Sequence, residues 1–167
     1  MALKASFKMK IKRKGLDTLR RRIKSAESYV SKTGFWQTMS NDGTMNMASL
    51  AFLQEYGRPA SVINEAIPAR AFFRMSVMNV EANRSNVRRQ LKFAIQHILA
   101  GSQTTPESLR QVGQVYQEEI QTIITYFDEP ANAERTIKMK GKDDPLIDSG
   151  KMRDSVKTKV TKRGLDV

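Results

Sequence analysis

Along residues 5–12, ASFKMKIK, the apolar positions Phe7, Met9 and Ile11 alternate with Lys8, Lys10 and Lys12. That is the period of a half-buried strand whose lysines face water or a partner. Gly15 breaks the run, and Leu16, Leu19, Ile23, Ala26 and Val30 then recur at helical spacing with Arg20, Arg21, Arg22 and Lys24 between them. The spacing predicts an amphipathic helix with a basic outer face. Residues 33–40, TGFWQTMS, favour a second strand, closed by the turn signal Asn41-Asp42-Gly43. Residues 45–56, MNMASLAFLQEY, form a short helix that stops at Gly57, a residue suited to the left-handed position past a helix end, with Pro59 beyond it.

Residues 58–66 have no clear period and are expected to be a loop. From Ala69 the pattern turns helical and runs to Ala100, with Phe73, Val77, Val80, Val87, Leu91, Ala94 and Ile98 on one side. Asn83-Arg84-Ser85-Asn86 interrupts the apolar face, and its side chains offer the backbone competing hydrogen bonds, so a bend or break is expected there. Thr105 at the cap, Pro106 at the first helical position and Glu107 in the first turn open a further helix. Its stripe is Leu109, Val112, Tyr116, Ile120, Ile123 and Phe127, and it ends before Asp128. Beyond it, residues 135–140 read as strand or extended loop. Asp148 or Ser149 can cap a short helix through Val156, and residues 157–161 alternate like a final strand. The expected fold is α+β, with a small antiparallel or mixed sheet packed against two long helices. A basic N-terminal arm (1–14) and an extended C-terminal segment with a short helix and strand (131–167) flank it within one domain (1–167).

Composition removes most chemistry. A chain of 167 residues, 40% hydrophobic, suffices for one domain with a core. With no cysteine, disulfides, thiol nucleophiles and cysteine-based zinc sites are excluded, which fits assembly in a reducing cytoplasm. The single histidine, His97, rules out a multi-histidine metal site and leaves one residue through which a Ser-His-Asp triad could run. It lies one step off the apolar face of its helix and reads as an ordinary structural or surface histidine. No apolar run approaches a membrane span, and the first residues lack a signal-peptide core, so a soluble, unexported protein without membrane contact is expected.

The net charge of +12 is unevenly placed. Residues 1–32 hold eleven Lys/Arg against two acids, whereas residues 106–136 hold two against six. A basic arm suits a polyanion, through Lys8, Lys10, Lys12, Arg20, Arg21 and Arg22, or an acidic face of a protein partner, or simply a solvated surface. Aromatic residues of the kind that nucleic-acid platforms interleave with their bases are few there, only Phe7 and Tyr29.

Catalytic and cofactor motifs fail on spacing. Eight residues separate Gly141 from Gly150-Lys151, where a Walker loop needs four, and Met152 replaces its magnesium-binding hydroxyl. Asp143, Asp144 and Asp148 lie among turn formers without calcium-loop spacing. Glu118 and Glu119 project about a hundred degrees apart on a helix and do not converge. No enzyme and no cofactor is expected.

Three stretches in order carry a resemblance: ASLAFLQEYGRP (48–59), IPARAFF (67–73) and PLIDSGKMRDSV (145–156). Together they resemble the minor tail-component and tail-completion proteins of long-tailed bacteriophages. Those share a helix ending in Glu-x-Gly, an Ile-Pro-Ala-Arg-Pro-Phe-Leu segment, and Pro-Leu-Ile-Asp-Thr-Gly before a short helix. Glu55 and Gly57 match the first motif. Ile67, Pro68, Ala69, Arg70 and Phe72 match the second, and Pro145, Leu146, Ile147, Asp148 and Gly150 the third. Ala71 stands in place of a second proline, Phe73 in place of leucine, and Ser149 in place of threonine. The resemblance implies a virion protein made in the host cytoplasm. It forms a ring, commonly hexameric, at the neck, where it joins the tail to the head connector or caps the tail as a terminator. Its partners would be itself, the tail-tube protein and neck proteins, with non-specific contact to channel DNA. The matched residues, with Phe73, Ser149 and Arg153, are the expected contact set.

Pro68 also biases Ile67 to an extended conformation and sets the entry to the long helix. Arg70 sits near a helix start, where its charge opposes the dipole, so a carboxylate or carbonyl partner is expected, from this chain or from a neighbour.

Overall fold

A computed structural model of the chain describes residues 14–36, 43–62 and 65–164. The expected strand at 5–12, with Lys8, Lys10 and Lys12, lies outside them. The elements are α1 (Lys14–Glu27), β1 (Tyr29–Phe35), α2 (Met47–Tyr56), α3 (Phe72–Ala82), α4 (Arg84–Ala100), α5 (Thr105–Tyr126), α6 (Glu134–Lys140), α7 (Lys151–Asp154) and β2 (Val156–Lys162). This is an α+β fold. Its two-stranded antiparallel sheet runs in unbroken register from Tyr29 opposite Lys162 to Phe35 opposite Val156.

Helix α5 is the axis of the structure. Both strands pack on it, and so do α3 and α4. The sheet approaches at Gly113, a buried mid-helix glycine with no outlying φ. A Cβ there would collide with Ser31 Oγ and Thr158 Cγ2. Its carbonyl accepts from Thr33 Oγ1 (3.1 Å), and the cross-strand hydroxyls of Thr33 and Thr158 lie 2.9 Å apart. Glycine costs a helix interior about 1 kcal/mol relative to alanine. Here it admits the strands to backbone contact.

The core gathers Met47 and Ala51 from α2, Phe72 from α3, Ile120 and Ile124 from α5, and Phe127 just past it. Leu146, Met152 and Val156 close it from the C-terminal segment. Phe72 meets Phe35 edge-on, with ring centroids 6.0 Å apart. Each such side chain contributes about 1.5–3 kcal/mol by leaving water. The C-terminal segment is therefore part of the core and not a loose appendage.

Several boundaries differ from the sequence reading. α1 ends at Glu27, and Val30 belongs to β1, because pairing with β2 claims the residues that periodicity gave to the helix. Strand β1 accordingly starts four residues before Thr33, and residues 37–40 lie outside the described set. The helix expected from Ala69 starts at Phe72, and the break at Asn83 falls where the Asn/Ser cluster placed it. Residues 135–140 are helical. Ala133 opens α6, Glu134 lies in its first turn, Lys138 and Lys140 in its last, and Gly141 closes it in the left-handed conformation. The cap of α5 is Thr104, one residue earlier than expected, accepting from the Glu107 N–H at 3.4 Å.

Replacing Gly113 by valine should lower stability by about 1–3 kcal/mol, since the strands cannot withdraw without giving up the Thr33–Gly113 hydrogen bond and their packing on α5. Urea unfolding midpoints of the two proteins measure this, and an unchanged midpoint would contradict the packing described.

Candidate functional site

The end of α2 and the start of α3 form one joint. Gly57 follows α2 with φ 70° and ψ −174°, a region essentially reserved to glycine, so its φ is positive as expected but its conformation is not the helical left-handed one. The backbone of Ile67–Ala69 crosses directly over it. A Cβ on Gly57 would stand 2.5 Å from Ile67 O and 2.7 Å from Ala69 N. Arg58 and Ile67 exchange both main-chain hydrogen bonds at 2.8 Å, which pins the intervening loop at its ends. Ile67 is thus extended, as Pro68 requires.

Glu55 closes the joint. It is 5% exposed, and its carboxylate accepts from the main-chain N–H of Phe73 (2.8 Å) and of Arg74 (3.3 Å). Arg74 Nε adds an ion pair at 2.9 Å. Phe73 and Arg74 are the second and third residues of α3, whose cap position, Ala71, supplies no side-chain bond. Glu55 does from α2 what an N-cap side chain does locally, and places a negative charge at the positive end of the helix dipole.

Arg70 is also 5% exposed. Its guanidinium donates to Gln54 Oε1 (2.7 Å), Pro130 O (3.1 Å), Ala131 O (3.1 Å) and Asn132 Oδ1 (3.4 Å). Its main-chain N–H bonds Gln54 O at 2.7 Å. Burial lowers its pKa, and Asp143 opposes that. The partners anticipated for Arg70 are carbonyl and amide oxygens of this chain, so it ties α2, α3 and the segment after α5 together. Phe72 is core, and Phe73 is half-buried against it.

The third motif meets the first two across a cleft of about 740 Å³. Pro145, Leu146, Asp148, Ser149 and Gly150 line one side, and Gln54, Ile67, Pro68 and Arg70 the other. Gly150, with φ 80°, occupies the cap position of α7, in place of the expected Asp148 or Ser149, because the chain must reverse there to enter a four-residue helix. Ser149 Oγ still accepts from Lys151 N–H at 3.4 Å. Ile147 packs against the core, Ala69 is exposed at the joint, and Arg153 pairs with Asp154 at 2.8 Å. That hydrogen bond holds the Asp154 carboxyl below its usual range.

Four further bases line the cleft: Arg58 and Lys151 stand within the first and third motif stretches but outside their matched positions, and Arg135 and Lys140 stand in none. Lys140 Nζ donates to Asp144 O at 2.6 Å, and its pKa is lowered mainly by burial, with Asp148 opposing. Their convergence depends on the turn after α5 and on α6, which periodicity did not reveal.

The remaining candidates lie elsewhere. On α1, Arg20 and Arg21 are exposed, but the guanidinium of Arg22 donates to Leu99 O and covers Gly101. Arg22 is thus also a contact between α1 and the end of α4. His97 Nδ1 lies 2.7 Å from Ser102 Oγ at the end of α4, outside the cleft. Glu119 accepts from Asn79 (3.0 Å), Asp143 from Asn132 N–H (2.9 Å), and Asp144 pairs with Lys142 (2.7 Å). Among the described residues no helix is long and apolar enough to cross a membrane.

Glu55→Ala should destabilise the protein by about 2 kcal/mol, by leaving two helix N–H groups without their acceptor in a buried joint. Glu55→Gln, which keeps an acceptor oxygen, should lose less, and chemical denaturation of both variants decides it. Equal losses would mean that Glu55 acts through charge alone.

Searches against family models, curated proteins and solved structures find no match for this chain.

Proposed function

We propose that the protein is a structural component of a bacteriophage neck. In this reading it forms a ring, a hexamer as in the proteins it resembles, that completes the tail and joins it to the head connector. It acts by binding and not by catalysis. The observation that supports this is the convergence of the three motifs, separated in sequence, on one joint and one cleft. Partners would be copies of itself, the tail tube and the connector, and its place would be the virion. The alternative within this reading is a tail-terminator ring, which would cap the tube by similar surfaces. Electron microscopy of virions assembled without the protein should show heads and tails accumulating unjoined, and normally joined particles would remove the proposal.

A second reading, a nucleic-acid-binding module, has one observation in its favour: Arg20, Arg21 and Lys24 are exposed along one helix. It predicts duplex DNA binding whose affinity falls steeply with salt and is lost when Lys8, Lys10, Lys12, Arg20 and Arg21 are neutralised, Arg22 being kept for its contact with α4. Gel shifts at low salt test it, and no shift there rejects it.

A further inference from the structure

The cleft is chemically lopsided. Five bases line it, Arg58, Arg70, Arg135, Lys140 and Lys151, against two acids, Glu65 and Asp148. Arg70 directs its donors to oxygens of this chain, and Lys140 Nζ donates to Asp144 O and Arg58 to Glu65 O, so what the cleft presents to a partner is its excess of positive charge. Between these cations the lining mixes polar side chains, Thr44, Gln54, Thr136 and Ser149, with the apolar Met45, Leu50, Leu146 and Met152. Methionine fits irregular side chains with little penalty. On the wall beside Arg70, Asn132 Nδ2 is buried without a hydrogen-bond partner. Such a donor is rare in folded proteins and is satisfied when an acceptor arrives.

We propose that this cleft binds an acidic peptide segment of a neighbouring protein, with carboxylates against Arg58, Arg135, Lys140 and Lys151 and an apolar side chain on the methionine-lined floor. The composition of the cleft selects peptide over nucleic acid. None of its lining residues is aromatic, whereas single-stranded nucleic acid is held by stacking bases on aromatic rings. The proposal deepens the assembly reading and rests on it only for the source of the segment; the chemistry comes from the cleft itself.

The test uses the full chain and a fluorescein-labelled hexapeptide alternating glutamate and leucine, titrated by fluorescence anisotropy at low salt. Binding is expected, weakening as salt screens the charges. The matching glutamine–leucine peptide should not bind. Reversing two rim charges, Arg135→Glu with Lys151→Glu, should weaken binding about tenfold or more, with the thermal midpoint confirming that the variant is folded. Arg20→Glu with Arg21→Glu, away from the cleft, should leave it unchanged. The proposal is overturned if the glutamate peptide fails to bind at low salt, if the glutamine peptide binds equally, or if a single-stranded oligonucleotide takes the cleft instead. The two proposals fail separately. Peptide binding by a protein that virions do not need would keep the cleft and remove the neck assignment, and unjoined heads and tails without peptide binding would do the reverse.

Discussion

The carboxylate of Glu55, buried at the first turn of α3, is the interaction on which the arrangement around it depends. A helix that starts with Ala71 in the cap position has orphan N–H groups that no local side chain can reach. Glu55 reaches them from the end of α2, and it can do so only because Gly57 lets the chain fold back under Ile67–Ala69. The carboxylate and the glycine are therefore one device. Without the glycine the segment would be held off by a Cβ, and without the carboxylate the close approach would leave a buried helix end unsatisfied. Phe72 reaches the core because this joint fixes the first turn of its helix.

Arg70 extends the same logic to the rest of the chain. A buried guanidinium is costly unless its fork of donors is matched, and here matching oxygens come from the side chain of α2 and from the turn after α5. That turn leads to α6 and on to Leu146, Met152 and Val156 of the core. Three parts of the chain distant in sequence thus share one cation. A lysine could not replace it, because a point charge with three donors cannot span oxygens contributed by both sides of the joint.

How much of this was legible in the sequence follows from the range of each interaction. Apolar stripes and local caps are local signals, and they located α2, the break at Asn83, α5 and β2 to within a few residues. The sheet claimed Tyr29 and Val30 against the helical period that ran to Val30, because pairing with β2, more than a hundred residues away, outweighs a local preference. The motif residues were visible as a set, but their roles were not. Glu55 as a cap for another helix and Gly113 as the seat of a sheet are relations between elements that no window of sequence contains. The cationic cleft was hidden for the same reason, since Arg58, Arg135, Lys140 and Lys151 come together only through tertiary structure.

This division bears on where recognition can reside. Glu55, Gly57, Arg70 and Phe72 are consumed by the fold: two form the joint, one ties it to the C-terminal segment, and one enters the core. Residues used this way can shape a binding surface but cannot contribute much direct contact. A partner, where there is one, would be met by the side chains that the scaffold leaves accessible. On one flank of α2 these are the bases of the cleft. On the opposite flank the rings of Phe52 and Tyr56 meet at a tilt with centroids 4.7 Å apart and are 66% and 58% exposed, with the Arg74 guanidinium 5.4 Å from the Tyr56 ring. Aromatic and arginine side chains held by their neighbours are the composition of interface hot spots. A rigid scaffold bearing two dissimilar surfaces can join unlike partners or repeat head to tail, whichever its neighbours offer. Conserving the joint while varying its flanks would keep such a scaffold and change what it fits.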